Sequence, residues 1–320
     1  QKFTPEVKPE PKPALPSEFE SKPERKSAVM RIVGVEENLE QKGPLEAQKL
    51  FERKQELKEG EVEKTPEQKE IISFLNEKLP EFIEKYGGQP IPISGDKIHL
   101  LAEEFWKRTG TAGYYVSDPR ESSVYVKQEK DASLLRFTKI LAHEFMHFNS
   151  FQSATAYKGE RRTGFSISAG KEVFTYFKNI DEAMIEELTK RFSEQYLKQS
   201  PTLKNEVEKL EQDRTNAVKS LQVPRKLAED IAYYKVSEKE GQKIVKLVSY
   251  TYPESRQKLN QLIDDLYEKN KSNYESREEV FNLFAKAVMN GRLLPVARLI
   301  RKTYGKGAFR SLGVTTGEGP

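Results

Sequence analysis

The clearest chemical signal in the sequence is His143-Glu144-Phe145-Met146-His147. On an α-helix, positions i and i+4 share a face, so both imidazoles can reach one ion. Glu144 then stands beside that ion, placed to take a proton from water. This is the HExxH pattern of helical zinc sites. The 320 residues include only three histidines, against 50 acidic residues. At that composition a chance match is expected roughly 0.004 times in a chain of this length, so accident is a poor account of it. The surrounding helix reads from Ala132 to about Phe151. It places Leu134, Leu135, Phe137, Ile140, Leu141, Phe145, Met146 and Phe148 nearly all the way round, as a buried helix does. Polar groups left unpaired there cost on the order of 1–3 kcal/mol each. A metal ion would satisfy both imidazoles; backbone carbonyls are the plainer alternative.

A zinc site of this kind takes a third protein ligand and keeps one position open. His99 is the one remaining histidine. The alternative is the acidic stretch Asp181-Glu182-Ala183-Met184-Ile185-Glu186, which opens a helix. Glu182 and Glu186 share a face, a mildly unfavourable pairing unless something cationic lies nearby. A metal held by Glu182, with Glu186 accepting a hydrogen bond from a ligand imidazole, resolves the conflict. An ordinary solvated face is the competing reading, because the apolar stripe Ile180, Met184, Leu188 and Phe192 points elsewhere.

HExxH followed by a helix reading Asp181-Glu182-Ala183-x-x-Glu186 resembles the gluzincin branch of the zincin superfamily of zinc metallopeptidases, over roughly residues 65 to 200. The resemblance implies one Zn2+ per chain, held by His143, His147 and Glu182. Glu186 would support a ligand and Glu144 would be the general base. The implied activity is zinc-dependent hydrolysis of a peptide or protein substrate. His147 and Glu182 lie 35 residues apart, a longer interval than in many thermolysin-like members. Tyr157 to Phe177 must then form an inserted loop or hairpin. A metzincin would need a third histidine after His147, and none follows. In the family an edge strand ahead of the motif helix commonly binds extended substrate, and Val124-Tyr125-Val126 is the candidate for it. Tyr157, Tyr176, Tyr250 and Tyr252 are candidate donors to a developing oxyanion, Tyr252 first among them. The alternative function is a catalytically idle zincin-like module that binds a protein partner through the same cleft. An intact Glu144 argues against it.

The elements that must position these residues follow from pattern. Residues 1–64 read as a flexible Pro/Glu/Lys-rich tail that holds seven of the chain's 17 prolines. Two islands interrupt it: Ala28–Val33 as a short strand and Leu45–Lys58 as a helix. Residues 65–200 form the zincin-like core. Thr65 caps a first helix that Gly87-Gly88 ends, and Pro80 is expected to kink or split it. Short β-like pieces follow at Ile91–Ile93, Ile98–Leu100, Gly113–Ser117 and Ser123–Lys127. The last two flank the turn Asp118-Pro119-Arg120-Glu121. Thr163–Ser168 and Val173–Phe177 also read as β. From Ile180 to Tyr304 the chain reads as helical. Residues 201–310 form a helical C-terminal subdomain, in which Leu203–Leu221 protrudes, and 311–320 is a frayed tail. The expected fold is α+β: a small, mostly antiparallel sheet with the motif helix beneath it, followed by a helical C-terminal half.

The composition narrows the field. Lys+Arg 54 against Asp+Glu 50 gives a net charge of +4, so no dedicated nucleic-acid binder is expected. Arg292, Arg298, Arg301, Lys302, Lys306 and Arg310 form a basic cluster. It reads first as a solvated face and second as a patch for an anionic partner. There is no cysteine, which excludes disulfides and thiolate metal sites. No apolar run approaches the roughly 18 residues of a membrane span.

Overall fold

A short strand, β1 (Arg31–Val33), falls within the Ala28–Val33 island; its partner comes from far along the chain. The computed structural model describes residues 31–33, 59–106, 111–118, 121–130, 132–155, 160–169, 174–220, 222–239 and 242–316. The helix expected at Leu45–Lys58 lies outside them. Thr65 caps α1 (Pro66–Lys85): its hydroxyl accepts from the Gln68 N–H, and the Gln68 side chain accepts from the Thr65 N–H. Ile71, Leu75, Leu79, Phe82 and Ile83 form its buried stripe. Gly87, at φ 69°, ends it. Pro80 does not split α1, which runs through it as one helix. The buried side chains on either side of Pro80 offset the lost backbone hydrogen bond.

Ile91–Ile93 forms no strand, because side-chain amides satisfy its backbone. Asn76 bonds both the N–H and the C=O of Ile93 at 2.9 Å, and Asn149 accepts from the Ile91 N–H at 2.6 Å. The next three strands, β2 (Ile98–Ala102), β3 (Gly113–Asp118) and β4 (Glu121–Gln128), make one sheet in the order β2-β4-β3. β3 and β4 are the expected hairpin, while β2 runs parallel to β4.

The motif lies on α2 (Leu134–Asn149), where Leu135, Leu141, Ala142, Phe145 and Met146 are fully buried. Ser133 caps its first turn, accepting from Arg136 N–H. Glu206, 72 residues on from Leu134, accepts from Leu134 N–H at 3.2 Å and from Leu135 N–H at 2.8 Å. A carboxylate there also complements the positive end of the helix dipole. Glu206→Ala is expected to lower stability by about 1–2 kcal/mol in a denaturant melt; an unchanged midpoint would show that Ser133 alone suffices.

Between the motif and the acidic helix runs a meander of β5 (Gln152–Thr155), β6 (Glu160–Thr163), β7 (Ser166–Ala169) and β8 (Phe174–Tyr176). With β1 it forms a five-stranded sheet, antiparallel except for the parallel β1–β5 pair. This meander is the insertion that the long interval requires. The β-like stretch Thr163–Ser168 is broken at Gly164, whose φ of 55° makes the turn between β6 and β7. The acidic helix is α3 (Lys178–Tyr196).

Then come α4 (Lys204–Ser220), α5 (Arg225–Ala228), β9 (Ile231–Lys239), β10 (Gln242–Ser249), α6 (Pro253–Lys269), α7 (Arg277–Asn290), α8 (Leu293–Tyr304) and α9 (Ala308–Thr315). The antiparallel hairpin β9–β10 corrects the all-helical reading of this half. Its Tyr233, Tyr234, Val236, Ile244, Val245 and Val248 are residue types that favour strands. α4 does not protrude either: it buries Leu210 and Ala217, and it carries Glu206 to the motif helix. Residues 311–316, expected to fray, are held to α3. Phe177 N–H donates to Gly313 C=O at 3.0 Å, and Asn179 N–H donates to Thr316 C=O at 2.8 Å. One hydrophobic cluster runs from Ile71 to Ile300, so the core is continuous across residue 200. The fold is α+β with small, mostly antiparallel sheets. No helix among the described residues is long and apolar enough to cross a membrane.

Candidate metal centre

α2 and α3 pack so that His143 and His147 face Glu182 and Glu186. His147 Nε2 lies 3.2 Å from Glu182 Oε2, and His143 Nε2 lies 3.6 Å from the same oxygen. One ligand atom from each of His143, His147 and Glu182 lies within 4.8 Å of the other two. Tetrahedral zinc with bonds of about 2.0–2.1 Å sets its ligand atoms roughly 3.3 Å apart. The trio therefore fits around one ion after a small contraction, and two imidazole nitrogens with a carboxylate oxygen are a donor set that suits zinc.

The residues behind the trio orient it. His143 Nδ1 is 2.7 Å from Glu186 Oε2, which leaves Nε2 as the nitrogen facing Glu182. The other Glu186 oxygen accepts from the Thr251 N–H at 2.7 Å. The Thr251 segment is itself pinned. Arg256 of α6 is buried and bonds Asp230 through two nitrogens at 2.7 and 3.0 Å and Glu187 at 2.8 Å, while the Tyr250 N–H donates to the Asp230 C=O. His147 Nδ1 has no hydrogen-bond partner among the described residues; Asp181 Oδ2 stands 3.9 Å away. Asp181 is buried and accepts from the Phe165 N–H at 2.7 Å. Gly164 has to be glycine here, because a side chain on it would run into the Asp181 carboxylate.

Two tyrosines frame the imidazoles. Tyr115 of β3 stacks on His147 at 5.4 Å between ring centroids, and Tyr252 lies over His143 at 6.2 Å. Tyr252 sits in the left-handed region at φ 53°, directly before Pro253, a conformation that costs on the order of 1–3 kcal/mol in a non-glycine residue.

Burial disfavours charge on every group at this site. Hydrogen bonds donated to Glu182 and Glu186 nevertheless hold His143 well above the usual imidazole range, and Glu182 raises His147. Burial also works against the two carboxylates, yet the imidazoles bring Glu182 well below its usual range and Glu186 to about 2. Burial pushes Asp181 up to about 6. The site is thus a dense set of buried charges in which a divalent cation could replace the protons on the imidazoles.

Glu144 stays out of this network. Burial raises its pKa, with the two imidazoles opposing, and it makes no hydrogen bond among the described residues. It borders a cavity of about 140 Å³, with Ala112, Gly113, Ile140, His143 and Tyr252 among the walls. Gly113 lets β3 pass close by: a Cβ there would come within 2.8 Å of Glu144 Oε1 and of Ile140 Cγ2.

All five residues named from the sequence, His143, Glu144, His147, Glu182 and Glu186, meet at the α2–α3 contact. Glu182 and Glu186 are not on a solvated face: Glu186 is buried and Glu182 nearly so. His99 is not the third ligand, since its Nδ1 pairs with Glu61 Oε1 at 2.8 Å and its ring lies against Tyr125. Val124–Val126 is not an edge strand, because β4 is paired on both sides; β2 and β3 are the outer strands of that sheet among the described residues. Among the tyrosines, Tyr157 lies outside the described residues. Tyr250 and Tyr252 both line the cavity, but Tyr250 is buried and accepts from Lys139 Nζ at 2.9 Å, whereas Tyr252 lies over the His143 ring. Asp181, Thr251, Tyr115 and Gly113 were given no role from the sequence. Asp181 is adjacent to Glu182 and Thr251 to Tyr252, so proximity in the sequence is the signal that points to both. Tyr115 and Gly113 reach the site only through the register of the sheet. No protein-family model, no curated protein and no solved structure matches this chain.

Proposed function

We propose that the chain is a zincin-like, zinc-dependent peptidase of the gluzincin type, with one ion held by His143, His147 and Glu182. The observation that carries this reading is the convergence of those three side chains while Glu144, on the same helix as the histidines, makes no hydrogen bond among the described residues and faces a cavity. Bound there, zinc would lower the pKa of a coordinated water to about 7 and polarise the scissile carbonyl.

The protein's own groups supply the remaining steps. An extended peptide adds alongside β3, an outer strand of its sheet among the described residues, which leads from Ala112 and Gly113 at the cavity wall. Glu144 takes the proton at its free carboxylate and delivers it to the leaving amine nitrogen. Burial and the neighbouring carboxylates, Glu182 foremost, raise the Tyr252 phenol far above its ordinary range. It therefore stays protonated and can donate to the developing oxyanion. Glu186 holds the His143 ring through Nδ1.

The direct test is cleavage of a peptide library followed by mass spectrometry, with chelator and with zinc restored. Cleavage that stops with chelator and returns with zinc supports the proposal; cleavage indifferent to both overturns it. Gly113→Ala examines the geometry separately. Its Cβ must displace Glu144, and a misplacement of this size is expected to lower kcat about 10²-fold with zinc content unchanged. Wild-type turnover in that variant would mean that Glu144 is not held where the reaction needs it.

A further inference from the structure

The last two helices carry a charge pattern that the zinc site does not use. From Val280 to Gly317 the sequence has seven lysines and arginines and no aspartate or glutamate. Six of these cations, Arg292, Arg298, Arg301, Lys302, Lys306 and Arg310, lie on or beside α8 and α9. All six are exposed, and none makes an ion pair among the described residues. Surface cations elsewhere in the chain commonly have acidic neighbours, as Lys269 has Asp265 and Arg277 has Asp264.

The same helices expose apolar side chains. Leu294 is 66% and Val314 46% exposed, and with Tyr304 they are three of the five large hydrophobic residues left exposed among the described residues. The pattern repeats on each helix. Leu294 is one turn from Arg298 and two from Arg301 and Lys302, so the four share the outer face of α8. Val296, Leu299 and Ile300 face the core instead. On α9, Arg310 and Val314 are likewise one turn apart, while Gly313 packs on Phe177.

A basic face studded with aliphatic side chains matches a charged lipid interface. Its phosphates meet the guanidinium groups, and its acyl boundary accepts the leucine and valine. A nucleic acid would satisfy the charges but has little use for exposed Leu294 and Val314. We propose that α8 and α9 form a peripheral docking face for a bilayer containing anionic phospholipid.

The test is flotation of the full chain with vesicles of phosphatidylcholine alone or mixed with phosphatidylserine. Binding is expected only to the mixed vesicles and should weaken as salt rises. Arg298→Glu with Arg301→Glu should lower it at least tenfold, a conservative figure for reversing two interfacial charges. Leu294→Ser should weaken vesicle binding while leaving the charge intact. All three positions are exposed, and a circular-dichroism melt checks that the variants fold. Failure to float with mixed vesicles at low salt overturns the proposal. So does a Leu294→Ser variant that floats like wild type while the chain binds duplex DNA as tightly as it binds vesicles, since that marks a general polyanion surface. The readout requires neither zinc nor cleavage, so its outcome is independent of the peptidase reading.

Discussion

Glu144→Gln is expected to lower peptide cleavage by at least 10²–10⁴-fold, the usual contribution of a positioned general base, while zinc content stays at one per chain. The substitution keeps the size and polarity of the side chain and removes only its ability to take a proton. Glu144 is not among the three converging side chains and makes no hydrogen bond among the described residues, so neither the proposed metal site nor the fold depends on its charge. Its burial, which already disfavours the charged form, makes the neutral amide easy to accommodate. Parallel measurement of turnover and bound zinc separates the outcomes. Lost cleavage with retained zinc supports the role assigned; retained cleavage removes Glu144 from the chemistry.

His147→Ala is expected to have the opposite profile, with zinc lost first and cleavage lost as a consequence. Removal of a partner behind a ligand typically costs 10–100-fold in metal affinity, and removal of a ligand itself should exceed that. His147 Nε2 is the nitrogen closest to Glu182, at 3.2 Å, so its loss leaves Glu182 with His143 alone. The variant also leaves a hole beneath Tyr115, which stacks on the ring. A thermal melt must therefore accompany the metal analysis. A folded variant that still carries one tightly bound zinc would place the ion elsewhere.

What could be read from the sequence was local. The HExxH pair and the two glutamates of α3 are i, i+4 relations, and the helix period alone puts each pair on one face. The Thr65 cap and the β3–β4 hairpin were legible for the same reason, because capping and turn chemistry involve neighbouring residues. The errors fell where distant segments decide. Val124–Val126 looks like an edge until β2 pairs with its far side. Leu203–Leu221 looks unsupported until Glu206 reaches the start of the motif helix. The β9–β10 hairpin is a different case, since its tyrosines and β-branched residues are a local strand signal within a stretch whose flanks are helical.

The proposed chemistry requires one ion between α2 and α3. Anomalous diffraction at the zinc edge, on crystals of the zinc-loaded chain, tests that claim directly. A single strong peak is expected within about 2.0–2.2 Å of His143 Nε2, His147 Nε2 and a Glu182 oxygen, with Glu186 still bonded to His143 Nδ1. Zinc bound at another place, or no peak between these side chains at saturating zinc, would contradict it.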